Sequence, residues 1–283
     1  MRLSNLYLYP IKSAAGVPLE WWEVDDLGLR FDRRWMVVDP QGEFITQRDL
    51  PRMAWIRVRV DEPHLVIEAP GMPPLGLALE PPGGEPIRVT VWADRFEARL
   101  PDREADRWLT EFLGMDCRLA YCPSETMRRV DRRYSPADRR VGFADAFPFL
   151  VIGSASLDDL NRRLSSPLPM NRFRPNLVVG GSEPFSEDTW RRIRIGAMEF
   201  HLVKPCSRCV ITTTDQTTAE RSPEQEPLRT LATFRLRNGQ VMFGQNAIHG
   251  GKGRLQVGDM VEVLEERERE TGNTGTGKGR RRD

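Results

Sequence analysis

The sequence lacks several features that would place a protein in a specialised class. Its 283 residues include only four cysteines, and 42 Lys and Arg nearly balance 41 Asp and Glu for a formal net charge of +1. Four cysteines in so long a chain do not make a disulfide framework, and the balanced charge gives no case for nucleic acid as a partner. No apolar run reaches the length of a membrane span, and the first residues, Met1–Tyr7, lack the apolar region of a signal peptide. These absences predict a protein of the reducing cytoplasm.

Two further absences concern redox groups. No cysteine follows Cys209, so this chain does not supply the ligands of a plant-type iron–sulfur cluster after that residue. The glycines of Gly272–Gly279 lack the strand and helix that a dinucleotide-binding fingerprint requires on either side. A redox activity would therefore depend on electrons from a separate protein.

The chain is rich in turn-forming residues, with 23 Gly and 22 Pro, and short segments of strand character recur between them. Alternating or continuous apolar residues between turn signals are typical of strands in sandwiches and barrels. In the first 100 residues the pattern predicts strands at Leu3–Tyr9, Trp22–Val24, Trp35–Val38, Ile56–Val60, Leu65–Glu68, Ile87–Trp92 and Phe96–Leu100. We therefore expect a β-barrel-like N-terminal domain over residues 1–100.

A helix and a basic segment follow at residues 101–140. The helix is predicted from Pro101-Asp102 to about Phe112, with Gly114 as its C-terminal stop. The segment Arg128–Arg140 is predicted to be a mobile, solvated loop. The two together are expected to join two modules.

The second module, residues 141–265, is again predicted to be mainly β. Its strands are expected at Phe149–Ile152, Leu177–Val179, Ile193–Ile195, Met198–Phe200, Val241–Asn246 and, as two strands around a Gly-Asp turn, Leu255–Leu264. A capping box at Ser156–Asp159 predicts a helix through Leu164, and Pro227–Leu231 reads as a short helix. Residues 266–283 are charged and rich in Gly and Thr, which predicts a disordered tail. The fold class expected is mostly β with a few helices.

The stretch with the most chemical character is Lys204–Asp215, which holds the spacing C-x-x-C at Cys206 and Cys209. Lys204 and Arg208 lie beside the cysteines, and nearby cations favour thiolate over thiol. Five β-branched residues, Val210–Thr214, follow and predict a strand. The pair is therefore expected at the entry to a strand.

Four interpretations of this pair stay open from the residues alone. A thioredoxin-type dithiol lacks the helix that lowers the thiol pKa. A structural zinc site would need Cys117 and Cys122 as a second ligand pair. Both cysteines could also be ordinary buried side chains. The fourth interpretation is a single exposed thiolate that binds a soft metal or a reactive group, and Cys209 suits that role better than Cys206.

Seven motifs in order resemble one known family. They are LYPIKSAAGV (Leu8–Val17), DRRW (Asp32–Trp35), ASLDDLN (Ala155–Asn161), FRPNLVV (Phe173–Val179), PCSRCVITTT (Pro205–Thr214), FGQN (Phe243–Asn246) and VGDMV (Val257–Val261). Together they cover residues 1–265 and resemble the MOSC family, in the branch that carries its own N-terminal β-barrel domain before the MOSC β-barrel domain.

The resemblance implies a molybdenum–molybdopterin cofactor bound between the two domains. In the family the second cysteine of C-S-R-C is the metal ligand and catalytic residue, here Cys209, and a soft thiolate suits that metal. The implied cofactor contacts are Lys12, Ser13, Arg33, Arg174, Asn176, Ser207, Arg208 and Asn246. The last position is a tyrosine in the vertebrate branch.

The resemblance also implies an activity. We expect an oxidoreductase that reduces N-hydroxylated substrates with electrons from a separate donor, such as a ferredoxin or a cytochrome b5-like protein with its reductase. Exposed arginines in Arg128–Arg140 and at Arg191 and Arg192 are expected to dock that donor. The alternative is a cofactor carrier or sulfur-transfer protein, although the sequence shows no pyridoxal-phosphate domain of the kind found in cofactor sulfurases.

Overall fold

A computed structural model of the chain describes residues 1–135 and 139–267. The described residues form 19 strands and three α-helices. The strands are β1 (Arg2–Leu8), β2 (Val17–Leu19), β3 (Trp21–Asp25), β4 (Gly28–Leu29), β5 (Trp35–Val38), β6 (Arg57–Asp61), β7 (His64–Glu68), β8 (Leu75–Ala78), β9 (Glu85–Val91), β10 (Asp94–Leu100), β11 (Arg118–Tyr121), β12 (Phe149–Gly153), β13 (Leu177–Gly180), β14 (Trp190–Ile195), β15 (Met198–Ser207), β16 (Leu236–Arg237), β17 (Gln240–His249), β18 (Gly253–Gln256) and β19 (Val261–Glu266). The helices are α1 (Arg103–Leu113), α2 (Ser154–Arg163) and α3 (Leu228–Ala232).

The largest sheet has nine strands, in the order β19-β14-β15-β17-β12-β13-β1-β2 with β16 paired to β17. The pairs are antiparallel except for the parallel pair of β12 and β13. Apolar side chains of β1, β12, β13, β14 and β15 form one buried cluster in it. Because β1 and β2 lie at the start of the chain, residues far apart in sequence meet in this sheet.

Three smaller sheets are built mainly from the N-terminal part of the chain. Their strand orders are β5-β11-β10-β9, β18-β3-β4 and β6-β7-β8. The predicted mostly-β fold with a few helices is confirmed, and among the described residues the sheets are open rather than closed into barrels. The division into domains at residues 1–100 and 141–265 stays a prediction.

Helix α1 agrees with the prediction from sequence. Asp102 is its N-cap, and its carboxylate accepts hydrogen bonds from the backbone N–H groups of Glu104 and Ala105. Gly114 ends the helix in the left-handed region at φ 73°. The buried stripe, which includes Trp108 and Phe112, packs into the core of the N-terminal part.

The capping box expected at Ser156–Asp159 is wrong. Helix α2 begins two residues earlier, at Ser154, and its N-cap residue Gly153 has no side chain with which to cap it. Ser156 is fully buried inside the helix, where its hydroxyl donates a hydrogen bond of 2.8 Å to the carboxylate of Glu187. The serine is therefore used for a tertiary contact and not as a cap.

The predicted solvated loop at Arg128–Arg140 is also wrong at its first residue. Arg128 is only 5% exposed. Its guanidinium forms an ion pair of 2.8 Å with Asp94 and donates to the backbone carbonyls of Gly142, Ala144 and Asp145. A buried guanidinium needs such partners for its donors, so Arg128 holds the segment 142–145 in place. Part of the remaining loop, residues 136–138, lies outside the described residues.

The C-terminal tail was predicted to begin at residue 266. Glu266 instead ends β19, and the backbone N–H of Arg267 donates to the carbonyl of Thr189 at 2.7 Å. Residues 268–283 lie outside the described residues. Within the part of the chain that is described, no helix has the length and hydropathy needed to cross a bilayer.

Gly244 in β17 offers a test of how tightly the large sheet is packed. Its φ is +80°, and an added Cβ would lie 2.7 Å from Cγ1 of Ile152 and 3.0 Å from the carbonyl oxygen of Val151. Left-handed backbone costs a non-glycine residue roughly 1–2 kcal/mol, and overpacking adds roughly 1–3 kcal/mol. We expect Gly244→Ala to lower the free energy of unfolding in urea by the sum of both effects.

Gly71→Ala is the matched control for that substitution. Gly71 has nearly the same φ, +79°, but no atom lies within 4 Å of an added Cβ. It should therefore show only the backbone cost. Equal losses of stability in the two variants would contradict close packing around Gly244.

Candidate functional site

One edge of the nine-stranded sheet gathers the ends of several strands. The end of β1 lies beside the start of β13, because Leu6 pairs with Leu177 and the N–H of Tyr7 donates to the carbonyl of Asn176. On the other side of β12, the end of β15 runs along β17, where Lys204 pairs with Asn246. Residues after β1, before β13 and after β15 all line one cleft.

A cleft opens at this edge, and all nine sequence-predicted site residues line it. The cleft has a volume of about 150 Å³. The predicted residues in its lining are Lys12, Ser13, Arg33, Arg174, Asn176, Ser207, Arg208, Cys209 and Asn246. Their functional roles are not decided by this proximity, but the structure does bring together residues up to 234 positions apart in the chain.

A buried polar network fixes one wall of the cleft. The carboxylate of Asp32, which is 5% exposed, accepts from the N–H of Tyr9 at 2.9 Å and the side-chain amide of Asn176 at 3.1 Å. It also forms an ion pair of 2.5 Å with Arg33, whose guanidinium donates to Oδ1 of Asn176 at 2.9 Å. Burial raises the pKa of Asp32, and the ion pair with Arg33 opposes that rise. The network ties the loop after β1 to the start of β13.

Two arginines stack on one tyrosine in this wall. The guanidinium carbons of Arg33 and Arg174 lie 4.3 and 4.4 Å from the centroid of the Tyr9 ring. Arg174 also donates to the carbonyl of Ala14 at 2.7 Å. Burial, together with the like charge of Arg33, lowers the pKa of Arg174 to about 10. Two cations held close together favour a shared anion between them.

Three of the predicted residues have a backbone conformation that is rare for non-glycine residues. Ser13, Arg33 and Arg174 have φ values of 67°, 46° and 54°, in the left-handed region that non-glycine residues rarely adopt. Such conformations cost of order 1–3 kcal/mol each and cluster at functional sites. That three of the nine predicted residues share this feature supports a binding role for the cleft.

The other wall contains an ion pair between Lys12 and Asp145. The sequence analysis predicted Lys12 but not Asp145. The ammonium of Lys12, 6% exposed, lies 2.5 Å from Asp145 and donates to the carbonyl of Phe143 at 2.8 Å. Burial lowers the pKa of Lys12, whereas Asp145 opposes that change. Lys12 and a hydrogen bond from the indole of Trp92 hold the pKa of the Asp145 carboxyl well below its usual range. Asp145 is therefore ionised at neutral pH and can accept both hydrogen bonds.

The C-x-x-C stretch leaves the sheet instead of entering a strand. Cys206 lies at the end of β15, and Val210–Thr213 form a 3-10 turn, so the predicted strand at Val210–Thr214 is wrong. The hydroxyls of Thr212 and Thr213 donate to the carbonyls of Cys209 and Val210 at 2.9 and 2.7 Å. Side-chain bonds to nearby backbone compete with a strand ladder, and here they decide the local structure.

The two cysteines have different surroundings. Cys209 is exposed, and the guanidinium Nη1 of Arg48 lies 3.8 Å from its Sγ. Cys206 is partly buried, and its Sγ accepts from Nη1 of Arg208 at 3.0 Å. Arg208 therefore pairs with the first thiol, while the second thiol faces the cleft with a different arginine beside it.

The remaining cysteines do not join this pair. Cys117 and Cys122 are buried in separate apolar clusters of the N-terminal part, and burial raises the pKa of Cys117 to about 11. Among residues 1–135 and 139–267, no group of three or more His, Cys, Asp or Glu side chains is arranged to hold a metal ion. A zinc site built from all four cysteines is thus not formed in this part of the chain.

Comparison with known families decides the relationship of the chain. The MOSC N-terminal beta barrel domain matches residues 1–116, and the MOSC domain matches residues 138–262. The chain belongs to the MOSC family.

Individual relatives agree with this assignment. Mitochondrial amidoxime-reducing component 1 of Mus musculus is 34% identical over 93% of this chain and 82% of its own length. Mitochondrial amidoxime reducing component 2 of Rattus norvegicus is 36% identical over 92% of this chain and 82% of its own. The molybdenum cofactor sulfurase of Oryza sativa subsp. japonica is 33% identical over 86% of this chain, but only 32% of its own length is covered.

The charge of the MOSC cleft is unbalanced. Five cations and one carboxylate line it. Lys12 pairs with Asp145 and Arg33 pairs with the adjoining Asp32. Within residues 1–135 and 139–267, no carboxylate lies at ion-pair distance from Arg48, Arg174 or Arg208. Three cations without a carboxylate partner suit a ligand with more than one negative charge.

Sequence reasoning missed Arg48, Asp145 and the supporting residue Arg172. Arg172 is 6% exposed and donates to the carbonyl of Thr213 at 2.9 Å and to the carboxylate of Asp215 at 2.7 Å, which holds the turn after Cys209. Arg48 and Asp145 lie in loops without a repeating pattern, so nothing local marks them. For Arg172, the sequence FRPN directly after it was the available signal.

The difference in exposure predicts the order in which the cysteines react. In cofactor-free protein, N-ethylmaleimide should modify Cys209 first, because the other three thiols are partly or fully buried. Mass spectrometry after short reaction times measures this, with Cys206→Ser as the control that keeps the fast reaction. Loss of the fast reaction in Cys206→Ser, and not in Cys209→Ser, would show that the order is wrong.

Proposed function

We propose that this protein is a molybdenum cofactor-dependent reductase of N-hydroxylated compounds. The observation that carries the proposal is an exposed thiol, Cys209, in a cleft that also holds three guanidinium groups with no carboxylate at ion-pair distance in the described part of the chain. The family membership and the amidoxime-reducing components among its relatives support the same reading.

The residues present fit a molybdopterin cofactor. Cys209 is the candidate metal ligand because its sulfur is free of the short contact that Arg208 makes with Cys206. Arg174 and Arg33, with Lys12 and the N–H groups near Ser13, are the candidate partners of the cofactor phosphate. The Nε of Arg208 is buried and has no hydrogen-bond partner among residues 1–135 and 139–267. A buried donor without a partner is costly, so a ligand atom at this position would stabilise the site.

The reaction we propose is a two-electron reduction. A hydroxylamine R–NH–OH takes up two electrons and two protons and gives R–NH₂ and water. The bound molybdenum supplies the oxygen-atom and electron chemistry, and the protein supplies binding, orientation and electrostatics. Because its pKa is held low, Asp145 accepts hydrogen bonds at neutral pH and does not serve as the proton donor.

Sulfur transfer is the second candidate function. One observation favours it: a molybdenum cofactor sulfurase of Oryza sativa subsp. japonica matches 86% of this chain, which corresponds to 32% of the sulfurase. An exposed cysteine such as Cys209 can also carry a persulfide. Labile sulfane sulfur in the purified protein, with no pterin, would favour this function over the reductase.

Replacing each cysteine of the pair tests the reductase. Cys209→Ser should lose bound molybdenum and the reduction of benzamidoxime, since the hydroxyl is a poor ligand for this soft metal. Cys206→Ser should keep much of both and serves as the matched control. The assay uses dithionite-reduced viologen as the electron source and elemental analysis for metal content. An inactive Cys206→Ser alongside an active Cys209→Ser would refute the assignment of the metal ligand.

We propose further that the electrons come from a separate protein, a ferredoxin or a cytochrome b5-like protein with its reductase. The basic surface expected to dock it is smaller than predicted. Arg128 is buried, and Arg191 and Arg192 form ion pairs with Glu265, the latter also with Glu199. Arg133 and Arg139 line one surface groove together with Arg191, and this groove is the docking surface that we propose.

The dependence on a donor is tested with three electron sources. Purified, cofactor-loaded protein should turn over with reduced viologen, and with NAD(P)H together with a donor and its reductase. It should be inactive with NAD(P)H alone. The donor-dependent rate should fall as salt rises, because charge-steered encounters are screened. Turnover with NAD(P)H alone would contradict the need for a donor.

A further inference from the structure

A second cavity opens directly outside the cleft. This outer groove has a volume of about 530 Å³ and shares Arg48, Cys206, Arg208 and Cys209 with the cleft. It extends away from the cleft past Lys204, Leu228 and Val241. A substrate bound in this groove would lie beside the exposed thiol of Cys209.

Trp92 forms an exposed but rigidly held wall of the outer groove. Its side chain is 54% exposed, and its φ is +59°, an outlier for so bulky a residue. Its indole donates to Asp145 at 3.1 Å, its ring lies edge-on to Phe44 at 5.3 Å, and Arg48 stacks over it at 4.6 Å. The positive φ belongs to the two-residue turn between β9 and β10, where Val91 pairs with Asp94. A fixed, exposed indole presents a flat apolar surface to a ring.

The charge of the outer groove is positive. Arg48, Lys204 and Arg208 line it, with Asp145 as its carboxylate. That carboxylate is already held by Lys12 and Trp92. Lys204 is exposed, its ammonium lies 5.4 Å from the ring centroid of Tyr134, and among the described residues no carboxylate is at ion-pair distance from it.

Lys204 also interacts electrostatically with Asp131. The pKa of Asp131 is lowered mainly by Arg133 and to a smaller extent by Lys204. The carboxylate of Asp131 is engaged by Arg133, with which it forms contacts of 2.6 and 2.9 Å. Lys204 is therefore available to an anion that enters the groove.

We propose that the outer groove selects planar aromatic substrates that carry an acidic group, with the ring against Trp92 and the acid near Lys204. This rests on the proposed reductase function and specifies its substrate class. A cationic substrate is disfavoured by the same charges, because like charges repel in a partly desolvated groove.

Paired substrates test this selection. The acid 4-carboxybenzamidoxime and its neutral methyl ester differ in charge at one end of the same ring. The ratio of kcat/KM for the acid to that for the ester should be above one in the wild type. In Lys204→Gln this ratio should fall about fivefold, the size expected for a solvent-accessible charge pair. The fall should come from a higher KM for the acid and not from a lower kcat. Raising the salt concentration should lower the same ratio in the wild type.

Two control variants test whether the effects are specific to the groove. Each removes a lysine or a tryptophan that lies outside it. Lys252→Gln removes the same charge from an exposed lysine that pairs with Asp26 and lies outside the groove, so the ratio should not change. Trp92→Leu should raise KM for both aromatic substrates. Trp21→Leu, which replaces another exposed tryptophan that lies outside the groove, should not.

A binding measurement keeps this inference separate from the reductase proposal. Calorimetry with 4-carbamoylbenzoate and its methyl ester, which have no N–O bond to reduce, reports on the groove alone in the cofactor-loaded protein. Tighter binding of the acid in the wild type, lost in Lys204→Gln and kept in Lys252→Gln, supports the inference even if no amidoxime is reduced. Equal binding of acid and ester in all variants overturns it, whether or not the reductase is active.

Discussion

The buried carboxylate of Asp32 is the interaction on which the cleft depends. It is taken out of water at the point where β1 ends and β13 begins, and burial alone would make its ionised form unfavourable. Arg33, Asn176 and the backbone of Tyr9 offset that cost. Removing any one of them leaves a buried charge without its full set of partners. The same contacts place Arg33 and Asn176 in the lining of the cleft, so that stability and site geometry have a common origin.

A second constraint is the excess of positive charge that the fold maintains. Arg33 and Arg174 stack on one tyrosine ring, and the buried Lys12 contacts one carbonyl and one carboxylate. Bringing like charges together is unfavourable in an empty site, and the left-handed backbone at Ser13 adds strain. A polyanionic ligand such as the proposed cofactor would offset both costs.

The position of the Cys209 thiol depends on both local hydrogen bonds and tertiary contacts. The threonines that follow it fold back on the chain and form a turn, and Arg172 fixes that turn from the side. Arg48 reaches the sulfur from a loop about 160 positions earlier in the chain, where stacking on Trp92 orients it. The cleft and the outer groove meet at this sulfur, so one side chain faces both the proposed cofactor and the proposed substrate.

The sequence by itself determined the mostly-β class, most strands to within two residues, the ends of α1 and, through the family resemblance, nine of the residues that line the cleft. Strand alternation, the Asp102 cap and Gly114 act locally, and the motifs around C-S-R-C are contiguous, so each could be read without a fold. Only the tertiary structure decided the turn at Val210–Thr213, the burial of Arg128 and the contacts of Arg48 and Asp145. Each of these depends on groups far away in the chain. A run of β-branched residues forms a strand only where a neighbouring strand provides backbone hydrogen bonds. An arginine is exposed to solvent only where the fold does not surround it with carbonyl groups.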